Sequence, residues 1–156
     1  FRATIFGVYM DIIPAPSPPT SDINYQVLGE APCRTMVVSM PNIFYYGCNT
    51  QRLTSQIVIY ETTNVIEVYV LDRPSGCSWN DGNAVIGIQN GAGTLGYTPP
   101  GRNTGDWSAN SEAWRLTPNG SSNVTFEWLD DAGTIIANTP TVSVCPSGTE
   151  TYTARA

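Results

Sequence analysis

Histidine and lysine are absent from the 156-residue chain, and its seven basic residues are all arginine. Serine and cysteine therefore lack their usual base, and acid–base work falls to carboxylates or tyrosine. Glu61 and Glu67 are the pair to weigh, because two carboxylates lining a cleft can cleave a glycosidic bond. They flank a turn, and solvated strand residues are the preferred reading. Ser78 to Ala84 (SWNDGNA) and Leu129 to Gly133 (LDDAG) hold carboxylate and amide oxygens that suit calcium. Neither follows the EF-hand loop pattern, and Asx-type turns explain both. No cofactor is expected, with calcium at these turns as the alternative. No hydrolase, transferase or redox activity is expected either.

The most distinctive polar motif is GRNTGDW, Gly101 to Trp107. Arg102, Asn103, Asp106 and Trp107 together suit a loop that grips a sugar ring. The structural alternative is preferred: an Arg102–Asp106 clasp holding a long loop over the core, with Trp107 as its plug. Trp79, Trp107, Tyr45, Tyr46 and Tyr97 are the aromatic candidates for a carbohydrate-binding face. Asn119 and Asn123 lie in N-x-S/T sequons.

These residues need a frame, and Ser55 to Leu71, SQIVIYETTNVIEVYVL, supplies its centre. Both arms are dense in β-branched and aromatic residues, as in a β-hairpin. Apolar residues occupy both faces of each arm, which predicts a central hairpin covered on both sides. Thr62, Thr63 and Asn64 form the turn, where Asn64 tolerates a positive φ. Pairing about Thr63 sets Cys48 and Cys77 opposite each other at the open end. A disulfide there closes a loop of about thirty residues and contributes roughly 3 kcal/mol in the chain-entropy model. Cys33 is left free or replaces Cys48 as partner.

Further strands are expected at Phe1 to Met10 (an edge strand), Ile23 to Leu28, Arg34 to Met40, Ala84 to Gln89 and Ser111 to Leu116, the last placing Trp114 in the core. Gly87 inside one of them marks a bulge or a close approach. Asp11 to Ser21 is a proline-rich loop, and Pro41 to Thr54 is a loop carrying Cys48. Pro118 to Ser122 reads as a linker. Beyond it Val124, Phe126 and Trp128 alternate, DDAG is a turn, and Thr141 to Cys145 and Thr151 to Ala154 are short strands. The fold class is all-β: an antiparallel β-sandwich or jelly-roll-like domain over residues 1–118, then a partial immunoglobulin-like β-domain over 119–156.

Charged residues are 13% of the chain, about half the usual 25%. The formal net charge is −6, which disfavours nucleic acid and anionic membrane as partners. No apolar run approaches the roughly 20 residues that span a bilayer, so no membrane insertion is expected. No signal peptide is visible, and Phe1 reads as the start of a processed or trimmed chain. Four cysteines among many Gly, Pro, Thr and Asn suit an oxidising, extracellular setting, and their spacing matches no metal motif.

Five motifs occur in order: APCRTMVVSM from Ala31, SQIVIYETTNVIEVYV, NAVIGIQN, PPGRNTGDW and EAWRLTP. Over about Ile5 to Pro118 they closely resemble a domain of large secreted, gliding-motility-associated surface proteins of Bacteroidota-type bacteria. There the domain precedes immunoglobulin-like repeats and a C-terminal secretion domain. The same stretch resembles the nidogen-like domain of extracellular matrix proteins, where a strand pair like SQIVIYETTNVIEVYV follows a strand like RTMVVSM. Gly120 to Ala156 resembles the first half of the immunoglobulin-like repeats.

The resemblance implies a non-enzymatic structural or adhesive module at the bacterial cell surface, and no binding residues carry over. Its partners would be neighbouring domains or subunits, within a filament or a longer chain, or glycans if the chain is a carbohydrate-binding module. The tail's few strands fall short of the roughly seven of an immunoglobulin-like sandwich. Continuation of the natural chain past Ala156 is the preferred resolution, ahead of strand exchange into filaments and of docking on the first domain.

Overall fold

A computed structural model describes residues 2–14, 22–120 and 125–156. Residues 15–21 of the expected proline-rich loop lie outside this set. So do Asn123 of the second sequon and Val124 of the alternating tail segment.

Twelve strands follow in order: β1 (Thr4–Tyr9), β2 (Ile12–Ile13), β3 (Asn24–Leu28), β4 (Thr35–Tyr45), β5 (Cys48–Tyr60), β6 (Ile66–Arg73), β7 (Val85–Gln89), β8 (Gly96–Tyr97), β9 (Ala109–Leu116), β10 (Glu127–Leu129), β11 (Ile135–Ala137) and β12 (Thr153–Arg155). The larger sheet has the order β2-β4-β5-β6-β9, with β3 also pairing to β4. The smaller sheet has the order β1-β7-β8, and the tail forms a separate sheet, β11-β10-β12. Every pairing among the described strands is antiparallel. The architecture is an all-β sandwich.

The central hairpin is β5 and β6, as its composition predicts. Ile57 pairs with Val68 and Ser55 with Val70, and Asn64 takes φ +53° at the turn. Side chains alternate between the two faces of a strand, so one cross-strand row is Val38, Ile57, Val68 and Trp114. This row faces the smaller sheet. Gly7 of β1 crosses there so closely that an added Cβ would lie 2.6 Å from the Ile57 side chain. Val8, Tyr45, Leu53, Val68, Val70, Ile86, Trp107 and Ala109 form the core, with Trp114 packed partly buried against it.

The opposite face corrects the expectation of a hairpin covered on both sides. No second layer of described strands lies over it, and Tyr69 and Leu71 stay exposed. Val58 is buried there nonetheless, because long neighbouring side chains lie across the sheet surface.

Most of the loop expected over Pro41 to Thr54 is strand: Pro41 to Tyr45 belongs to β4 and Cys48 to Thr54 to β5. β4 runs through Pro41, and the ladder skips between Met40 and Ile43, where Asn42 has φ +55°. The bulge removes the pairing that proline cannot serve. In the tail, Thr141 to Cys145 forms no strand, and β11 pairs with β10 instead. The DDAG turn joins them, with Thr134 N–H donating to Asp130 Oδ1 at 2.7 Å and Gly133 at φ +80°.

Cys48 and Cys77 form a disulfide, Cα–Cα 5.8 Å, at a sequence separation of 29. Cys33 and Cys145 are free and exposed. Replacing both Cys48 and Cys77 by serine is expected to lower the unfolding free energy in urea by about 3 kcal/mol; an unchanged midpoint would contradict a structural role for the bridge. Gly87 lies against β8, where an added Cβ would sit 2.3 Å from the Tyr97 carbonyl oxygen. Gly87→Ala is therefore expected to lower the melting temperature, with a cost of about 1–3 kcal/mol from overpacking.

Candidate functional site

The GRNTGDW loop lies along β7. Ile86 N–H donates to Arg102 O at 2.9 Å, Ala84 N–H to Gly105 O at 3.3 Å, and Val85 bridges Asn103. Trp107 is buried beneath the loop and donates its indole N–H to Ala84 O at 3.0 Å. It is the expected plug. The expected clasp is different: Arg102 does not pair with Asp106.

Arg102 instead grips Glu112 of β9 in a bidentate ion pair, with Nε to Oε1 at 2.7 Å. Asp106 accepts from Gly76 N–H at 2.6 Å and lies 3.6 Å from an Arg73 guanidinium nitrogen. Arg102 and Asp106 lie in one loop, yet each charge finds its partner outside it. Arg102, Asp106 and Trp107 thus hold the loop down, whereas exposed Asn103 contributes the backbone bridge to Val85.

Arg73, at the end of β6, is only 1% exposed. Its guanidinium sits 4.2 Å from the Trp107 ring centroid, and that of Arg102 lies 4.6 Å from the same ring. Arg73 donates to Gly82 O at 2.6 Å, but its Nε has no hydrogen-bond partner among the described residues. Burial pulls its pKa down, against the pull of Tyr45 and Asp106. Burial also pushes the Tyr45 phenol up to about 12, and that hydroxyl donates to Pro74 O at 3.0 Å. Cation–π attraction at a desolvated site is worth about 2 kcal/mol or more.

The two glutamates weighed for catalysis lie apart in role. Glu61 pairs with Arg34 through both the side chain and the backbone N–H, and these contacts hold its pKa at about 2. Glu67 is not a solvated strand residue: it is 5% exposed on the open face of the larger sheet. Its Oε2 accepts from Tyr69 at 2.7 Å and Tyr60 at 2.8 Å, and its Oε1 accepts from Arg115 at 2.7 Å. The register places Arg115 directly opposite Glu67. The phenols, above all Tyr69, and then Arg115 hold its pKa below the ordinary carboxylate range. Three side chains donating to one carboxylate make it a weak base.

At the two turns suited to calcium, the oxygens serve the backbone. Asn83 Oδ1 accepts from Gly105 N–H at 2.7 Å, and Asp130 Oδ1 from Thr134 N–H. Among the described residues no group of three acidic or cysteine side chains is placed to hold a metal.

The five aromatic candidates divide. Tyr45 and Trp107 are core residues, while Tyr46, Trp79 and Tyr97 are 46%, 47% and 60% exposed. Tyr46 and Trp79 meet at the disulfide end of the sandwich, with ring centroids 4.7 Å apart. Tyr97 stands elsewhere, at an opening of about 650 Å³ between the sheets that Ile66, Ile88, Leu116 and Pro118 also line. Composition identifies these aromatics, but only the turn between β4 and β5 and the disulfide bring Tyr46 to Trp79.

The depressed Glu67 pKa stabilises the fold above the unfolded value near 4.5, and that contribution is lost as pH falls through the lower folded value. Glu67→Gln is therefore expected to be less stable than the native chain at neutral pH. The gap should narrow as urea melts are repeated below about pH 4.5. A gap that stays constant into strong acid would contradict this.

No curated protein and no solved structure matches the chain. No helix of the described residues is long and apolar enough to cross a membrane, and the disulfide fits an oxidising, extracellular setting. A model of the NIDO-related family matches residues 2–130, a stretch that holds both sheets of the sandwich and runs through β10. With most of its length matched, the chain belongs to the NIDO-related family, and its sandwich is a nidogen-like domain.

Proposed function

We propose that the chain is a non-enzymatic structural or adhesive module of an extracellular protein at the bacterial cell surface, working by contact with neighbouring domains, subunits or glycans. The observation that carries this reading is how the side chains are distributed. Five arginines are engaged in ion pairs, Arg34, Arg73, Arg102, Arg115 and Arg155. Glu67, the most enclosed carboxylate, is surrounded by its own donors. Large apolar and aromatic groups lie outside, among them Tyr25, Val27, Tyr46, Leu71, Trp79 and Tyr97. Of these, Tyr46 and Trp79 stand together as an exposed aromatic pair, a residue type enriched where proteins make contact.

Membership of the NIDO-related family supports an extracellular module. The likeness of APCRTMVVSM, PPGRNTGDW and EAWRLTP to gliding-motility-associated surface proteins supports the bacterial surface. Filament assembly with further copies is part of the same reading. β11 and β12 each pair only with β10 among the described strands, and an unpaired edge is a template for a strand from a neighbour.

Display of the chain on a non-adherent bacterium tests the proposal. Attachment to surfaces coated with extracellular matrix, with polysaccharide or with the chain itself is expected to exceed that of cells carrying an empty scaffold. Attachment no greater than that of the empty-scaffold cells on all three surfaces would overturn it. Reproducible turnover of a polysaccharide or peptide, lost on Glu67→Gln, would overturn the non-enzymatic part.

A further inference from the structure

Tyr46 and Trp79 are left about half exposed beside the most tightly braced part of the molecule. Their rings pack edge to face, with planes 65° apart. The Trp79 indole N–H donates to Asp11 Oδ2 at 2.8 Å, which leaves Asp11 Oδ1 without a hydrogen bond among the described residues. Met10 and Ile12 complete a hollow of about 400 Å³ around these three side chains, within the range of about 300–1,000 Å³ usual for small-molecule sites.

The hollow is held in advance of any ligand. Tyr46 precedes Gly47 and Cys48, Trp79 follows Cys77, and the Cys48–Cys77 disulfide ties the two together. Gly47, at φ +73°, lets the indole lie against the backbone, where a Cβ would come within 2.8 Å of Trp79 Cβ. Tyr46 N–H donates to Asp11 O at 3.0 Å. Asn80 and Asp81 both adopt left-handed φ, +47° and +51°, a region that L-residues rarely occupy. Asn83 N–H and its side-chain amide both donate to Asn80 O, and Arg73 holds Gly82 O. This bracing keeps Trp79 outside the core.

A rigid exposed ring beside a carboxylate suits two chemistries, a sugar ring or an organic cation. A cation box requires ring faces turned onto one centre. Here one ring's edge meets the other's face, and the carboxylate already serves the indole N–H, so the pair forms a platform. A pyranose lays its C–H face on such a ring and donates hydroxyls to the remaining carboxylate oxygen. The net charge of −6 opposes acidic glycans.

We propose that Trp79, Tyr46 and Asp11 form a saccharide subsite that takes one ring of a neutral glycan. The inference rests on the reading of the chain as a contact module and gives that module a ligand. It predicts that Trp79 carries the stacking, that Tyr46 buttresses it, and that Asp11 both orients the indole and accepts from the sugar.

The test is titration of the ¹⁵N-labelled chain with cello-, chito-, xylo- and manno-oligosaccharides, following the indole N–H signals of its four tryptophans. A saturable shift of the Trp79 signal is expected with at least one series, while those of Trp107 and Trp114 stay still. Trp79→Ala should weaken binding about tenfold or more, as loss of a central aromatic contact does. Asp11→Asn should weaken it less, and Tyr97→Ala should leave it unchanged. If Trp79→Ala loses its dispersed spectrum, Tyr46→Ala reads the same loss. No saturable shift at millimolar saccharide, equal affinity in the platform variants, or a response to choline in place of sugars overturns the subsite. A chain that attaches to matrix yet binds no saccharide overturns this inference alone. One that binds saccharide through Trp79 yet attaches nowhere overturns the adhesive reading alone.

Discussion

A single buried cation organises one end of this molecule. Arg73 ends β6 inside the core, where an unpaired charge would cost far more than any one contact returns. Its environment is drawn from segments distant in sequence. Trp107 presents a ring face, Gly82 a carbonyl, Asp106 a carboxylate at 3.6 Å, and Tyr45 packs close enough to couple with it electrostatically. The segments of Gly82, Asp106 and Trp107 are irregular and converge on the guanidinium, whose Nε keeps no hydrogen-bond partner among the described residues. Gly82 shows how tight the fit is: an added Cβ would lie 2.6 Å from the Asp106 carboxylate. The Cys48–Cys77 bridge acts on the same region from the other side, through chain entropy and not through charge.

The larger sheet solves a related problem on its two faces in different ways. Toward the smaller sheet, the row of Val38, Ile57, Val68 and Trp114 is apolar and loses water by packing. On the open face, Val58 neighbours Glu67, and there is no second layer among the described strands. The Glu67 carboxylate is stripped of water by the side chains that hydrogen-bond to it, so burial and satisfaction come from the same groups. Tyr60 and Tyr69 bring rings that shield the sheet and hydroxyls that serve the charge. The same face retains exposed apolar groups such as Leu71.

Much of this was legible in the sequence where local rules act alone. The β5–β6 hairpin follows from β-branched alternation, Asn64 from its tolerance of positive φ, and the disulfide from the register that the hairpin imposes. The close approach at Gly87 follows from a glycine within a strand. What could not be read is partner choice across loops. Arg102 and Asp106 are four apart and of opposite charge, which suggests a local clasp, yet β9 delivers Glu112 to Arg102 and β6 delivers Arg73 to Asp106. Glu67 reads as solvated because Tyr60 and Arg115 become its neighbours only through sheet register, beside Tyr69 two residues along its own strand. Pro41 reads as a loop because a bulge that excuses a proline leaves little trace in composition. In the tail, Thr141 to Cys145 alternates like a strand but has no partner strand there, and propensity without a partner does not make a sheet.

The same limit bears on the aromatic residues. Tyr45 and Tyr46 are adjacent, and alternation dictates that only one can point into the core. Tyr45 is fully buried and caps Pro74, so Tyr46 is turned outward at the strand end. Trp79 lacks that compulsion. A chain free to relax would fold an indole of this size onto apolar surface, as Trp107 does. The left-handed Asn80 and Asp81 and the flanking disulfide prevent it, and the indole is tied to Asp11 instead. Strain at consecutive non-glycine residues persists only where the surroundings over-determine it, and here the hydrogen bonds to Asn80 and Gly82 do so. The exposure of Trp79 is thus tied to the bracing around Arg73: its hydrogen bond to Gly82 O also fixes the turn that holds the indole at the surface.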